Sequence, residues 1–143
     1  MKMKLDHVGI VVKDINKTLS FFQEVFGTAE ERAFSVARPG YKIKYALTKI
    51  EDNYIEFIEP EEGPWVGRLK ERGEGSIWEL CFEVNNIEEF YDKLVKRNIM
   101  PVDRFDKPMT EKYSTSPSGN KFFYLPRDKT YGIWIEILER TWR

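Results

Sequence analysis

Tyr54-Ile55-Glu56-Phe57-Ile58-Glu59 and Trp134-Ile135-Glu136-Ile137-Leu138-Glu139 are one phrase written twice, aromatic-Ile-Glu-apolar-apolar-Glu. Each reads as a strand, because β-branched and aromatic residues dominate it, and each carries a carboxylate inside an otherwise apolar run. A second matched pair stands upstream. Leu5-Asp6-His7-Val8-Gly9-Ile10-Val11-Val12 and Ile77-Trp78-Glu79-Leu80-Cys81-Phe82-Glu83-Val84 each precede a helix-like run. Aligning the halves sets His7 against Glu79 and Glu56 against Glu136. An internal repeat of this length implies two similar supersecondary units.

Working outward, Asp14 supplies a helix N-cap. Ile15, Leu19, Phe22 and Phe26 recur at helical spacing, and Gly27 stops the helix. Residues 32–37 and 42–49 read as strands joined by the Pro39-Gly40 turn, and 53–59 as the closing strand. The second half repeats this order. A strand over 76–84 is followed by Asn86 with Glu89 three residues on, a capping-box start to a helix ending near Asn98. Residues 100–104, 112–116, 120–125 and 133–139 read as further strands. The expected fold class is therefore α+β, two β-α-β-β-β modules in a single domain over 1–143. Module 1–60 and module 76–143 flank a linker, 61–75, whose Pro64 and Gly73 bound a short helix from Trp65 to Arg72.

Side chains alternate across a strand. Val8, Ile10 and Val12 share one face and His7, Gly9 and Val11 the other. Trp78, Leu80, Phe82 and Val84 likewise oppose Glu79, Cys81 and Glu83. The more apolar faces pack on the helices, so His7 and Glu79 point to the opposite surface. Glu56 and Glu136 stand against Ile55, Phe57, Ile135 and Ile137 in the same way. A lone histidine or glutamate on a strand is ordinarily a solvated side chain. Four metal-competent groups in matched register are a different case, because an unpaired carboxylate costs several kcal/mol to bury.

Composition narrows the class. A net charge of −1 offers no bulk attraction for nucleic acid or a membrane surface. Met1-Lys2-Met3-Lys4 leads into no long apolar stretch, so neither a signal peptide nor a membrane span is expected. The lone cysteine, Cys81, excludes an internal disulfide and fits a reducing, cytoplasmic location as a buried apolar side chain.

The opening Leu5-Asp6-His7-Val8-Gly9-Ile10-Val11-Val12-Lys13-Asp14-Ile15 and the helix ending Phe21-Phe22 through Phe26-Gly27 resemble vicinal oxygen chelate proteins. Arg68 through Gly75, then Leu80-Cys81-Phe82-Glu83-Val84, and the stretch from Pro126 through Gly132 into Ile135-Glu136-Ile137, look like methylmalonyl-CoA epimerases and glyoxalase I relatives. The resemblance implies a cupped mixed sheet with helices on its outer face, holding one divalent metal from the first and last strands of each module. Carried over by position, the ligands are His7, Glu56, Glu79 and Glu136. The ion is Mn, Co, Ni, Fe or Zn, with hard donors favouring the less thiophilic of these. The implied partners are a small-molecule substrate and a second copy of the chain in a homodimer.

Two positions depart from the family pattern. Glu79 stands where epimerases and many glyoxalases have histidine. Pro39-Gly40-Tyr41-Lys42 lacks the glutamate with which epimerases move the proton. In glyoxalase relatives a ligand glutamate detaches and carries it, which assigns that role here to Glu136 or Glu79. The expected activity is a metal-dependent isomerase or lyase acting through an enediolate, with aromatic walls from Tyr45, Tyr54, Phe122, Tyr124 and Trp134. Arg38, Lys42, Lys44, Arg127 and Lys129 are candidates to meet an anionic group. A metal-free binding or resistance module on the same fold is the alternative. A non-haem iron dioxygenase ranks last, because it prefers two histidines and this chain has one.

Overall fold

Each opening strand is followed within three residues by a helix N-cap, Asp14 or Asn86, and in both halves the closing strand returns to that helix. In a computed structural model of the chain, residues 2–29 and 31–141 are described. The chain divides into two compact units, His7–Trp78 and Met1–Asp6 with Glu79–Arg143.

In the His7–Trp78 unit the order is β1 (Met3–Val11, from His7 on), α1 (Ile15–Phe26), β2 (Phe34–Arg38), β3 (Tyr41–Ile50), β4 (Asn53–Glu62) and α2 (Pro64–Arg72). The strands lie side by side as β2-β3-β4-β1. β1 runs parallel to β4, and β3 antiparallel to β2 and β4. One sheet face packs on α1 through Val12, Ile15, Leu19, Ala46 and Phe57, with Ile10, Phe22 and Ile55 alongside. These are the residues alternation places together. The Asp14 carboxylate accepts from Lys17 N at 3.0 Å, and Gly27 closes α1 at φ 67°, a left-handed conformation that glycine adopts without strain. The segment read as a linker packs into this unit. Trp65 of α2 is buried, its ring 4.0 Å from that of Trp78, and the Arg68 guanidinium lies 4.2 Å from the Trp78 ring centre.

The other unit repeats the order with β5 (Ile77–Val84, from Glu79 on), α3 (Ile87–Lys96), β6 (Ser114–Thr115), β7 (Lys121–Tyr124) and β8 (Ile135–Glu139). The strands stand as β5-β8-β7-β6, with β5 and β8 parallel and the rest antiparallel. Val84, Ile87, Leu94, Phe123 and Ile137 form the core under α3. Asn86 accepts from Glu89 N at 3.1 Å, as the capping pattern predicts. Both units are thus β-α-β-β-β, and the fold class is α+β.

The duplicated phrase explains itself at its last letter. Glu59 Oε1 accepts from Ile15 N at 3.0 Å, and Glu139 Oε1 accepts from Ile87 N at 3.1 Å. Each closing strand thus satisfies one of the orphan donors at the start of its unit's helix. The same two carboxylates meet Lys44 at 3.7 Å and Lys121 at 3.5 Å.

One predicted strand is absent. Over 100–104 only Val102 makes isolated bridges, to Pro108 and Tyr124, because the Asp103 carboxylate accepts from Phe105 N and Lys107 N and turns the chain back. The strand expected over 112–116 shrinks to Ser114–Thr115. This unit also holds a buried ion pair. Arg140 donates to both oxygens of Asp6, at 2.8 and 2.7 Å, with the side chains 3% and 1% exposed.

Candidate metal centre

In the His7–Trp78 unit the parallel pairing of β1 with β4 sets His7 beside Tyr54 and Gly9 beside Glu56. Partners in a sheet share a face, so His7, Gly9 and Glu56 stand together on the side turned away from α1. Gly9 offers no side chain, which leaves room for the Glu56 carboxylate to lean toward His7. His7 Nε2 lies 3.9 Å from Glu56 Oε2, with the side chains 4% and 15% exposed. That separation is too long for a hydrogen bond. A divalent ion bonds such donors at about 2.0–2.2 Å, so one ion spans a gap of up to roughly 4.4 Å. The donors fit one ion, and an imidazole with a carboxylate suits Mn, Fe, Co, Ni or Zn.

Opposite Glu56, on β3, stands Leu47, with Tyr45 diagonal to Glu56 on the same face. Burial, and then the negative charge of Glu56, push the Tyr45 phenol above its usual pKa. Tyr45 also stacks obliquely on Phe34, ring centres 5.9 Å apart.

In the other unit the corresponding pairing sets Cys81 beside Glu136, with Tyr124 on the far side. Glu79, two residues before Cys81, shares that face. Glu79 is 2% exposed and Cys81 is fully buried and in no disulfide. Register therefore equates Gly9 with Cys81, Leu47 with Tyr124, and Tyr45 with Phe122. Of the residues singled out from the sequence, His7 and Glu56 meet within one unit, and Glu79 and Glu136 share a face of the other.

Phe122, Tyr124 and Trp134 are buried on the Glu136 face, with Tyr124 and Trp134 ring centres 4.9 Å apart. Arg127 covers Trp134 at 4.8 Å and pairs with Asp106, while Arg104 covers Phe122 at 5.4 Å. Lys42 and Lys44 are engaged by Glu61, at 3.0 and 3.5 Å. Sequence reasoning took Tyr45 for a wall and missed Glu59 and Glu139 altogether. Their signal was present, since the second glutamate of the phrase is duplicated as faithfully as the first.

The profile of the Glyoxalase/Bleomycin resistance protein/Dioxygenase superfamily matches residues 6–113, and the chain belongs to that superfamily. Uncharacterized protein YwbC of Bacillus subtilis (strain 168) is 29% identical over 140 residues, 98% of this chain and 100% of that one. The mitochondrial methylmalonyl-CoA epimerase of Homo sapiens is 23% identical over 136 residues, 94% of this chain and 72% of that one. A variant of the Streptomyces coelicolor methylmalonyl-CoA epimerase, in complex with 2-nitronate-propionyl-CoA, superimposes with a TM-score of 0.76 at 19% identity. It covers 96% of this chain and 94% of that one. At that identity the likeness shows the fold. Among the described residues no helix is long and apolar enough to cross a membrane.

Proposed function

We propose that this chain is a divalent-metal-dependent isomerase or lyase of the glyoxalase I and methylmalonyl-CoA epimerase type. It would act on a small, oxygen-rich carbonyl compound by proton transfer through an enediolate. The observation that carries this reading is the His7–Glu56 pair, a buried imidazole 3.9 Å from a carboxylate on the sheet face turned from the helix. In the proposal His7, Glu56, Glu79 and Glu136 hold the ion. When bound, the ion would supply positive charge that stabilises the anion left by proton removal.

The rest falls to side chains. One imidazole and three carboxylates around a dication sum to a formal −1, so one carboxylate is released to do chemistry. Glu136 takes the proton α to the carbonyl and returns it, and Glu79 is the other carrier. Cys81 and Tyr124 flank Glu136 on the neighbouring strands.

The test is elemental analysis of the untagged protein, followed by solvent-deuterium exchange at the α carbon of methylmalonyl-CoA, the compound named by the epimerase relatives. The expected result is one divalent ion per chain and exchange abolished by chelation. A protein with neither ion nor exchange returns the chain to a metal-free binding module on the same fold.

A further inference from the structure

Tyr45 has a phenol that the proposed reaction does not yet use. It stands on the sheet face that carries His7 and Glu56, diagonal to Glu56 across the β3–β4 pairing. Diagonal neighbours on adjacent strands lie about 7–8 Å apart at the backbone, within reach of an aromatic side chain. The ring is half-buried, held by Phe34 with centres 5.9 Å apart. Its hydroxyl makes no hydrogen bond to any described residue.

The register-equivalent position in the other unit is Phe122, a ring of the same shape without the hydroxyl. Packing on this face is thus satisfied by phenylalanine. At this register position the oxygen is present in the unit that holds the histidine and absent from its counterpart.

We propose that Tyr45 is a catalytic residue whose phenol donates a hydrogen bond to the substrate oxygen that becomes anionic during enolisation. This rests on the isomerase or lyase reading above. When a carboxylate removes the α proton, the electrons of the C–H bond form the C=C bond and those of the C=O bond move onto oxygen. The phenol meets that oxygen and keeps its own proton, which an ordinary phenol releases only near pH ~10. A donor already in place in a water-poor site acts chiefly on the transition state. The substrate class implied is a thioester or ketone whose carbonyl oxygen lies at the Glu56 end of the site.

The experiment compares metal-loaded wild type with Tyr45→Phe, using methylmalonyl-CoA exchange for rate and 2-nitronate-propionyl-CoA for binding. The nitronate carries a planar anionic group in place of the enolate. Removing one such donor lowers kcat roughly 10²-fold. The expected result is that loss, a matching loss of nitronate affinity, and unchanged KM and metal content. Full kcat and full nitronate affinity in Tyr45→Phe, with an active wild type, overturn the Tyr45 assignment alone. A loss of metal from Tyr45→Phe overturns it too, in favour of a structural role. A wild type that neither exchanges the proton nor binds the nitronate overturns the assignment together with the reading beneath it.

Discussion

In the His7–Trp78 unit the closing-strand carboxylate has a glycine beside it and a histidine diagonal to it. In the other unit the same places hold Cys81 and Glu79. The backbone order, the capped helix and the second glutamate are alike in both. The two units share what the fold needs and differ at the positions around the closing-strand carboxylate. The unit with His7 also has Tyr45, a half-buried donor. The unit with Glu79 has a row of buried aromatics, Phe122, Tyr124 and Trp134, under two arginines.

The largest difference between the halves is the pair of Asp6 and Arg140. Both side chains are almost fully buried, and two hydrogen bonds join them. Removing one partner strands a buried charge, which costs about 3–5 kcal/mol. Asp6→Ala is expected to lose that much in urea unfolding, followed by circular dichroism. Arg140→Met added to Asp6→Ala should recover much of the loss, since an apolar replacement of a buried pair is often near neutral. A single-variant loss below about 1 kcal/mol breaks the claim that this buried pair fastens its unit.

Next in size is the contrast between the opening residues. His7→Ala should weaken divalent-ion binding by more than the ~10–100-fold that loss of an outer-shell partner typically costs. Glu79→Ala should cost less, because one carboxylate is in excess of what a dication needs for neutrality. Glu79→His removes that excess and should shift preference toward Zn and Ni. Titration with Co, Ni and Zn by calorimetry reads all three variants. Equal losses from His7→Ala and Glu79→Ala would make the two halves equivalent at the ion and end the asymmetry.

Much of this was legible in the chain because the signals are local. Asp14 and Asn86 announce helix starts, Gly27 and Pro39-Gly40 announce stops and turns, and alternation alone assigns His7, Glu56, Glu79 and Glu136 to one kind of face. What was not legible depends on partners distant in sequence. Val102 looks like the middle of a strand until the Asp103 carboxylate turns the chain back on it. The relation of Tyr45 to Glu56 follows from the β3–β4 register, which the Glu51–Asp52 turn fixes with Glu51 at φ 54°. The role of Arg140 depends on an aspartate 134 residues earlier.

The smallest effect tests what the halves share. Glu59 reaches the start of α1 across 44 residues and Glu139 the start of α3 across 52. In each case the carboxylate accepts from the first helical N–H and meets one lysine of the neighbouring strand. Those lysines are partly exposed, so the ion pairs add little, and the loss on substitution is that of a helix cap. Glu59→Ala and Glu139→Ala should each cost about 1 kcal/mol. For a chain of this size that is a fall in melting temperature of about 2–4 °C. The two falls should agree, and both variants should bind metal as the wild type does, because Glu59 and Glu139 lie on the helix side of their strands. If Glu59→Ala releases the ion while Glu139→Ala does not, the cap and the site share one unit's rigidity. The repeat would then be a matter of backbone alone.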